Sequence, residues 1–150
     1  PEAVRIYGPL PVILIIAFIT FAIYSIAKFL SVTRFATIED FKDKFQNDVN
    51  KIWKSQSYND IEKYNLPKDI NQVCFKDDEY ENIYFIPNLY EGEFIKNIDM
   101  EKTLSYSNEN PKSLCINSIN GKVKIRMKKE IYDKNGVTIL KWNSKKKNQA

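Results

Sequence analysis

Between residues 10 and 27 the chain carries no charged side chain and runs through leucine, isoleucine, valine, phenylalanine and alanine with few interruptions. At about 1.5 Å per residue this run makes a helix of about 27 Å, close to the hydrocarbon thickness of a bilayer. Pro9 and Pro11 stand where a first helical turn tolerates proline. Lys28 stands at the far end, where its stem can lie along the helix while the ammonium reaches a polar interface. The pattern then changes without a glycine or proline. Ile38, Phe41, Phe45, Val49 and Ile52 recur at spacings of three or four, with Glu39, Asp40, Lys42, Lys44 and Asp48 between them. This periodicity predicts an amphipathic continuation, so one helix of roughly forty residues, apolar on every side at first and striped afterwards. It ends in the polar stretch 55–59. The alternative is a spanning helix and a separate surface helix, divided near Ser31 and Thr33.

Beyond Pro67 the apolar residues fall into short runs rich in β-branched and aromatic side chains, at 70–75, 82–86, 113–119, 122–127 and 137–142. These predict strands. Asn120-Gly121 separates two of them and Asn135-Gly136 precedes the last, both pairs suiting the positive φ angles of a two-residue hairpin turn. An antiparallel meander follows. In the run 122–127, Val123, Ile125 and Met127 alternate with Lys122, Lys124, Arg126 and the adjoining Lys128, which predicts one buried and one wet sheet face. The Phe41, Phe45, Val49 and Ile52 stripe, with Trp53 nearby, is suited to cover the buried face. Residues 88–110 are polar and irregular, a surface loop region with one short strand around Phe94. The expected class is therefore α+β, a long N-terminal helix packed on a small antiparallel sheet. Its parts are an apolar segment 1–37, a head 38–143 and a disordered basic tail 144–150.

Charge changes the picture by its distribution. The net charge of +4 divides into +2 for residues 1–37, −7 for 38–110 and +9 for 111–150. Oppositely charged regions of one small head attract each other within a molecule or between copies, and the second suits a polymer. The chain has no histidine, which removes the commonest general base and metal ligand and every Ser-His or Cys-His pair. No enzyme chemistry and no cofactor are expected.

The remaining candidates are few. Cys74 and Cys115, the only cysteines, sit in predicted strands and are either one disulfide or two buried thiols on neighbouring strands. Two thiols without histidine leave zinc short of ligands. Asp77, Asp78, Glu79 and Glu81 cluster oxygens, but without the spacing or turn glycine of a calcium loop, so a solvated acidic loop is expected. Lys122, Lys124, Arg126 and Lys128 form a cationic ladder with steps of about 7 Å, a surface for an acidic neighbour or, less well suited for want of interleaved aromatics, for nucleic acid. Lys145, Lys146 and Lys147 read as a solvated tail. None of the fifteen asparagines opens an N-glycosylation sequon.

A hydrophobic N-terminal helix that turns amphipathic, followed by antiparallel strands to pack on its second half, resembles a type IV pilin-like subunit. The phrases Ile70-Asn-Gln-Val-Cys-Phe75 and Leu114-Cys-Ile-Asn-Ser-Ile-Asn-Gly-Lys-Val-Lys-Ile-Arg126 are similar to small archaeal membrane-anchored pilin-like proteins. The resemblance implies removal of a short basic leader, consistent with numbering from Pro1, then bundling of the helices into a filament core with the heads outside. Bacterial members carry glutamate at the fifth mature position, where this chain has Arg5 and places its early acid at Glu2. The implied partners are the membrane before assembly and identical subunits afterwards, through Val12, Ile13, Ile15, Ile16, Phe18, Ile19, Phe21, Ile23 and Ile26. The implied location is a cell-surface filament. The competing expectation is a single-pass anchor holding a small accessory or binding domain. Lys28 and Arg34 after the helix outweigh Arg5 before it, which by the positive-inside rule favours a cytoplasmic head, and a basic leader reverses that count.

Overall fold

Helix α1 (Pro9–Lys54) is followed in order by β1 (Tyr58–Asn65), β2 (Gln72–Lys76), β3 (Ile83–Ile86), α2 (Met100–Ser105), β4 (Ser113–Asn117), β5 (Lys122–Lys129) and β6 (Thr138–Lys141). This α+β arrangement is that of a computed structural model describing residues 9–107 and 110–142. Glu2, Arg5 and the basic tail 144–150 lie outside the described residues. The chain divides into two units, Pro1–Ala36 and Thr37–Ala150.

Helix α1 has 46 residues and no break at Ser31 or Thr33. It runs from the expected entry at Pro9 to just before the polar stretch 55–59, with nothing between Pro11 and Lys54 to interrupt it. Thr20 donates to the Ile16 carbonyl and Thr33 to that of Phe29, each at 2.8 Å. Lys51 and Lys54 lie in its last turn, where the helix dipole favours cations. The end is closed by Ser55, whose N–H donates to the Ile52 carbonyl at 3.0 Å. Lys129 of β5 also donates there, to the carbonyls of Trp53 at 2.8 Å and Ser55.

In the unit from Thr37 onward the strands form two three-stranded antiparallel sheets, β1-β5-β6 and β3-β2-β4, where the sequence suggested one meander. The Asn120-Gly121 turn has the expected positive φ values, 53° and 73°, and Ile119 and Lys122 exchange backbone hydrogen bonds across it. The two strands it joins then part, β4 to pair with β2 and β5 to lie between β1 and β6. Backbone bonds to other segments hold the parting: Ser118 N–H donates to the Asn71 carbonyl and Leu66 N–H to that of Gly121, both at 2.8 Å. Asn135-Gly136 makes a different turn from the one predicted, because only Gly136 of the pair has positive φ, at 148°. Glycine is required there by packing as well, since a Cβ would lie 2.6 Å from the Asp99 nitrogen.

Two elements escape the sequence pattern. The 58–65 stretch, assigned no element beyond the helix end expected at 55–59, is strand β1, paired along its length with β5. Residues 88–110 contain α2, capped by Asp99, whose carboxylate accepts from the Lys102 N–H at 3.0 Å. Around Phe94 there is an isolated bridge between Ile83 and Glu93 and no strand.

The core joins both sheets to the helix stripe. Phe41 packs edge-on against Tyr64 of β1 and Phe85 of β3, with ring centroids 5.4 and 5.9 Å away. Phe45 meets Tyr64 at 5.6 Å and Phe75 of β2 at 5.8 Å. Ile38, Val49, Ile52, Val123, Ile125, Met127 and Ile139 belong to the same buried cluster. Burying Phe and Leu-sized side chains contributes about 1.5–3 kcal/mol each, so this helix face supplies much of the stability of the head. The buried polar Asn82 uses both ends of its amide, donating to the Ile95 carbonyl at 2.8 Å and accepting from the Ile95 N–H at 2.7 Å.

Candidate assembly surfaces

In the unit Pro1–Ala36 the side chains expected to build a helix core are all exposed. Val12, Ile13, Ile15, Ile16, Phe18, Ile19, Phe21, Ile23 and Ile26 show between 55% and 71% of their surface. The window of 18 residues with the highest hydropathy averages 2.5, and none of it is buried. This is a helix long and apolar enough to cross a membrane. Lys28 places its ammonium 5.8 Å from the Tyr24 ring centroid, an aromatic and cationic pair of the kind found at membrane interfaces. The apolar surface continues past that pair, with Phe29 at 70%, Val32 at 63% and Phe35 at 61% exposed. Their spacing of three places them on one stripe, a signal present in the sequence but overshadowed by Lys28 and Arg34.

Cys74 and Cys115 are directly opposite each other on β2 and β4, with Cα atoms 4.0 Å apart, and they form a disulfide across 41 positions of sequence. Of the two alternatives, the bond is the one present. Alternation brought both side chains to one face of the β3-β2-β4 sheet, and the antiparallel register brought them level.

The cationic ladder lies on β5, the middle strand of its sheet. Val123, Ile125 and Met127 are fully buried, and Lys122, Lys124, Arg126 and Lys128 occupy the other face. The side chains are not equivalent. Lys128 pairs with Glu130 at 3.3 Å, and Arg126 donates to Asn59 Oδ1 at 3.0 Å. Lys124 sits 4.5 Å from the Trp142 ring centroid. The aromatic missing from the linear pattern is thus supplied across strands, and Lys63, directly opposite Lys124 on β1, is a further cation on this face.

The acidic stretch 77–81 connects β2 to β3. Asp78 Oδ1 accepts from the N–H groups of Tyr80 at 2.8 Å and Glu81 at 3.0 Å, and these backbone bonds hold its carboxyl below the usual range. Among the described residues no group of three or more metal-ligating side chains is positioned to hold an ion.

Three further interactions went unread in the sequence. Lys129, apart from closing α1, holds its ammonium 5.0 Å from the Trp53 ring centroid. Its neighbours Ser57, Tyr58, Asn59, Asp60 and Glu130 line an open hollow of about 460 Å³. Lys42, placed among the polar residues of α1, is buried and bonds Glu39 at 3.1 Å. Tyr64 donates its hydroxyl hydrogen to Asp48, and burial together with that bond pushes its ionisation well above the ordinary tyrosine value. Comparison with family models, curated proteins and solved structures returns no match to this chain.

Proposed function

We propose that this chain is a structural subunit of a type IV pilus-like surface filament, held in the cytoplasmic membrane by its apolar helix before assembly and polymerising through that helix afterwards. The observation that carries the reading is the extent of exposed apolar helix. Residues 9–36 of α1 form an apolar-rich stretch, and 28 residues at about 1.5 Å each make about 42 Å, against roughly 30 Å of bilayer hydrocarbon. Lipid covers the part up to Lys28. Phe29, Val32 and Phe35 need another apolar surface, and the same helix in neighbouring copies supplies one along its whole length. The head beginning at Thr37 has its own closed core, which suits the outside of such a polymer.

The Cys74–Cys115 disulfide supports a head on the oxidising side of the membrane, against the direction suggested by Lys28 and Arg34 alone. No catalytic role is part of this reading. The Tyr24–Lys28 interface pair suits a second reading, a single-pass anchor carrying a small extracytoplasmic domain that never leaves the bilayer. Substitution of Ile16 separates them. An aspartate at this position places an ionised carboxylate in a dry bundle, at a cost of several kcal/mol in every subunit. Ile16→Asp therefore removes the chain from material sheared off the cell surface, detected by immunoblot. A wild-type chain absent from that fraction supports the anchor instead.

A further inference from the structure

The register of the β1-β5-β6 sheet fixes which residues share its outer face. Lys122 stands opposite Asn65, Lys124 opposite Lys63, and Arg126 between Ile61 of β1 and Leu140 of β6. No carboxylate occupies any of these positions. The nearby Glu130 is engaged by Lys128 at 3.3 Å. Like charges directly opposite each other destabilise a sheet, so Lys63 facing Lys124 is a local conflict that the fold tolerates. Among the described residues none of Lys63, Lys122, Lys124 and Arg126 is in an ion pair.

The opposite sign is gathered at the β2–β3 connection of the other sheet. It carries Asp77, Asp78, Glu79 and Glu81, and the bridge between Ile83 and Glu93 folds Glu91 and Glu93 back beside it. The approach is close, for a Cβ on Gly92 would lie 2.3 Å from Glu81 Oε1. The adjoining cation, Lys76, is 5.1 Å from the Tyr84 ring centroid. Among the described residues these carboxylates form no ion pair either.

We propose that the outer face of the β1-β5-β6 sheet in one copy docks the acidic β2–β3 connection of a second copy. This rests on the filament reading and extends it from the helices to the heads. Charge complementarity selects the occupant: among the described residues Lys63, Lys122, Lys124 and Arg126 on one surface and the carboxylates on the other are in no ion pair, and each surface is what the other requires. The two surfaces are different parts of the head, so the contact is heterologous and can repeat from copy to copy without closing on itself, as a filament requires. Nucleic acid fits less well because the aromatic of this face, Trp142, already carries Lys124 against its ring.

The test uses the full chain in detergent micelles, as an equal mixture of unlabelled and heavy-isotope copies. A carbodiimide joins carboxylates to lysines in direct contact, and the linked peptides are read by mass spectrometry. The expected product at low salt carries one light and one heavy peptide, joining Lys63, Lys122 or Lys124 to the 77–81 stretch. Its yield falls roughly tenfold at high salt, where exposed pairs are screened. Lys124→Glu with Arg126→Glu abolishes it, and mixing that variant with a Glu79→Lys, Glu81→Lys copy restores association, read as co-purification of a tagged copy with an untagged one. The proposal is overturned by mixed-label links from Lys145, Lys146 or Lys147 in place of the sheet, by no mixed-label link, or by duplex DNA binding the wild type and not the double reversal. Filaments in micrographs without these links reject the docking alone. Links without filaments reject the filament reading and leave the docking in place.

Discussion

Tyr64 of β1 and Asp48 of α1 are joined by a hydrogen bond of 2.6 Å from the phenolic hydroxyl to the carboxylate, beneath the rings of Phe41 and Phe45. It fastens the least apolar strand to the helix stripe at the point where both meet the core. Tyr64→Phe keeps the ring and removes the donor, leaving a half-buried carboxylate without it. The expected loss is about 1.5–3 kcal/mol, read by chemical denaturation of the head.

The same bond makes stability fall at alkaline pH. Burial first, and the bond to Asp48 second, raise the ionisation of Tyr64 above its ordinary value of 10.0, and Tyr58, also desolvated and bonded to Glu62, is raised in the same direction. The unfolded chain then loses these protons before the folded one does. The stabilisation is complete below pH 10 and declines as pH rises from there toward the folded values. Ultraviolet titration should show Tyr58 and Tyr64 ionising at higher pH in the folded head than in the unfolded chain, and Tyr64→Phe should flatten the alkaline loss of stability. An unchanged alkaline slope in that variant contradicts this account.

Removing the disulfide acts mainly through the unfolded chain. Closing a loop of 41 positions stabilises by about 3–4 kcal/mol in the chain-entropy model. Cys74→Ala with Cys115→Ala should lower the denaturation midpoint by a corresponding amount, and thiol counting of the wild-type chain under denaturing conditions should find none free. Two free thiols in protein taken from the cell surface count against the oxidising location of the head.

The helix stripe belongs to the head rather than to a neighbour. Residues 37–142 alone should be a soluble monomer by light scattering at high salt, where charged contacts between heads are screened, since Ile38, Phe41, Phe45 and Val49 are covered within the unit. Phe45→Ala in that fragment should cost about 3–5 kcal/mol, because the ring contacts both sheets. Aggregation of the unsubstituted fragment would show that its stripe packs on another chain.

Periodicity revealed what periodicity builds. The i, i+3 and i, i+4 recurrence of Ile38, Phe41, Phe45, Val49 and Ile52 placed the buried face of α1, and the alternation of Val123, Ile125 and Met127 placed that of β5. Asn120-Gly121 announced its turn through the conformation those two residues accept. Strand β1 stayed hidden because its sequence is mostly Asn, Asp, Glu, Lys and Tyr. Only Tyr64 within it is buried, and pairing with β5 overrides the poor strand propensity. Helix α2 has six residues, too few for a period, although Asp99 ahead of Glu101 marks its start. The cationic ladder was legible along β5, but Lys63 and Trp142 join it by cross-strand register, which no local pattern encodes. The division into two sheets was likewise invisible, being set by the partners of β4 and β5 far away in sequence.

The central claim is that the exposed helix of the unit Pro1–Ala36 is covered by copies of itself. Electron microscopy of material sheared from cells producing the wild-type chain, with antibody raised against the head, tests it most directly. The account predicts thin filaments decorated along their length, absent for Ile16→Asp. A wild-type chain recovered only as a detergent-solubilised monomer, with no decorated filament, contradicts it.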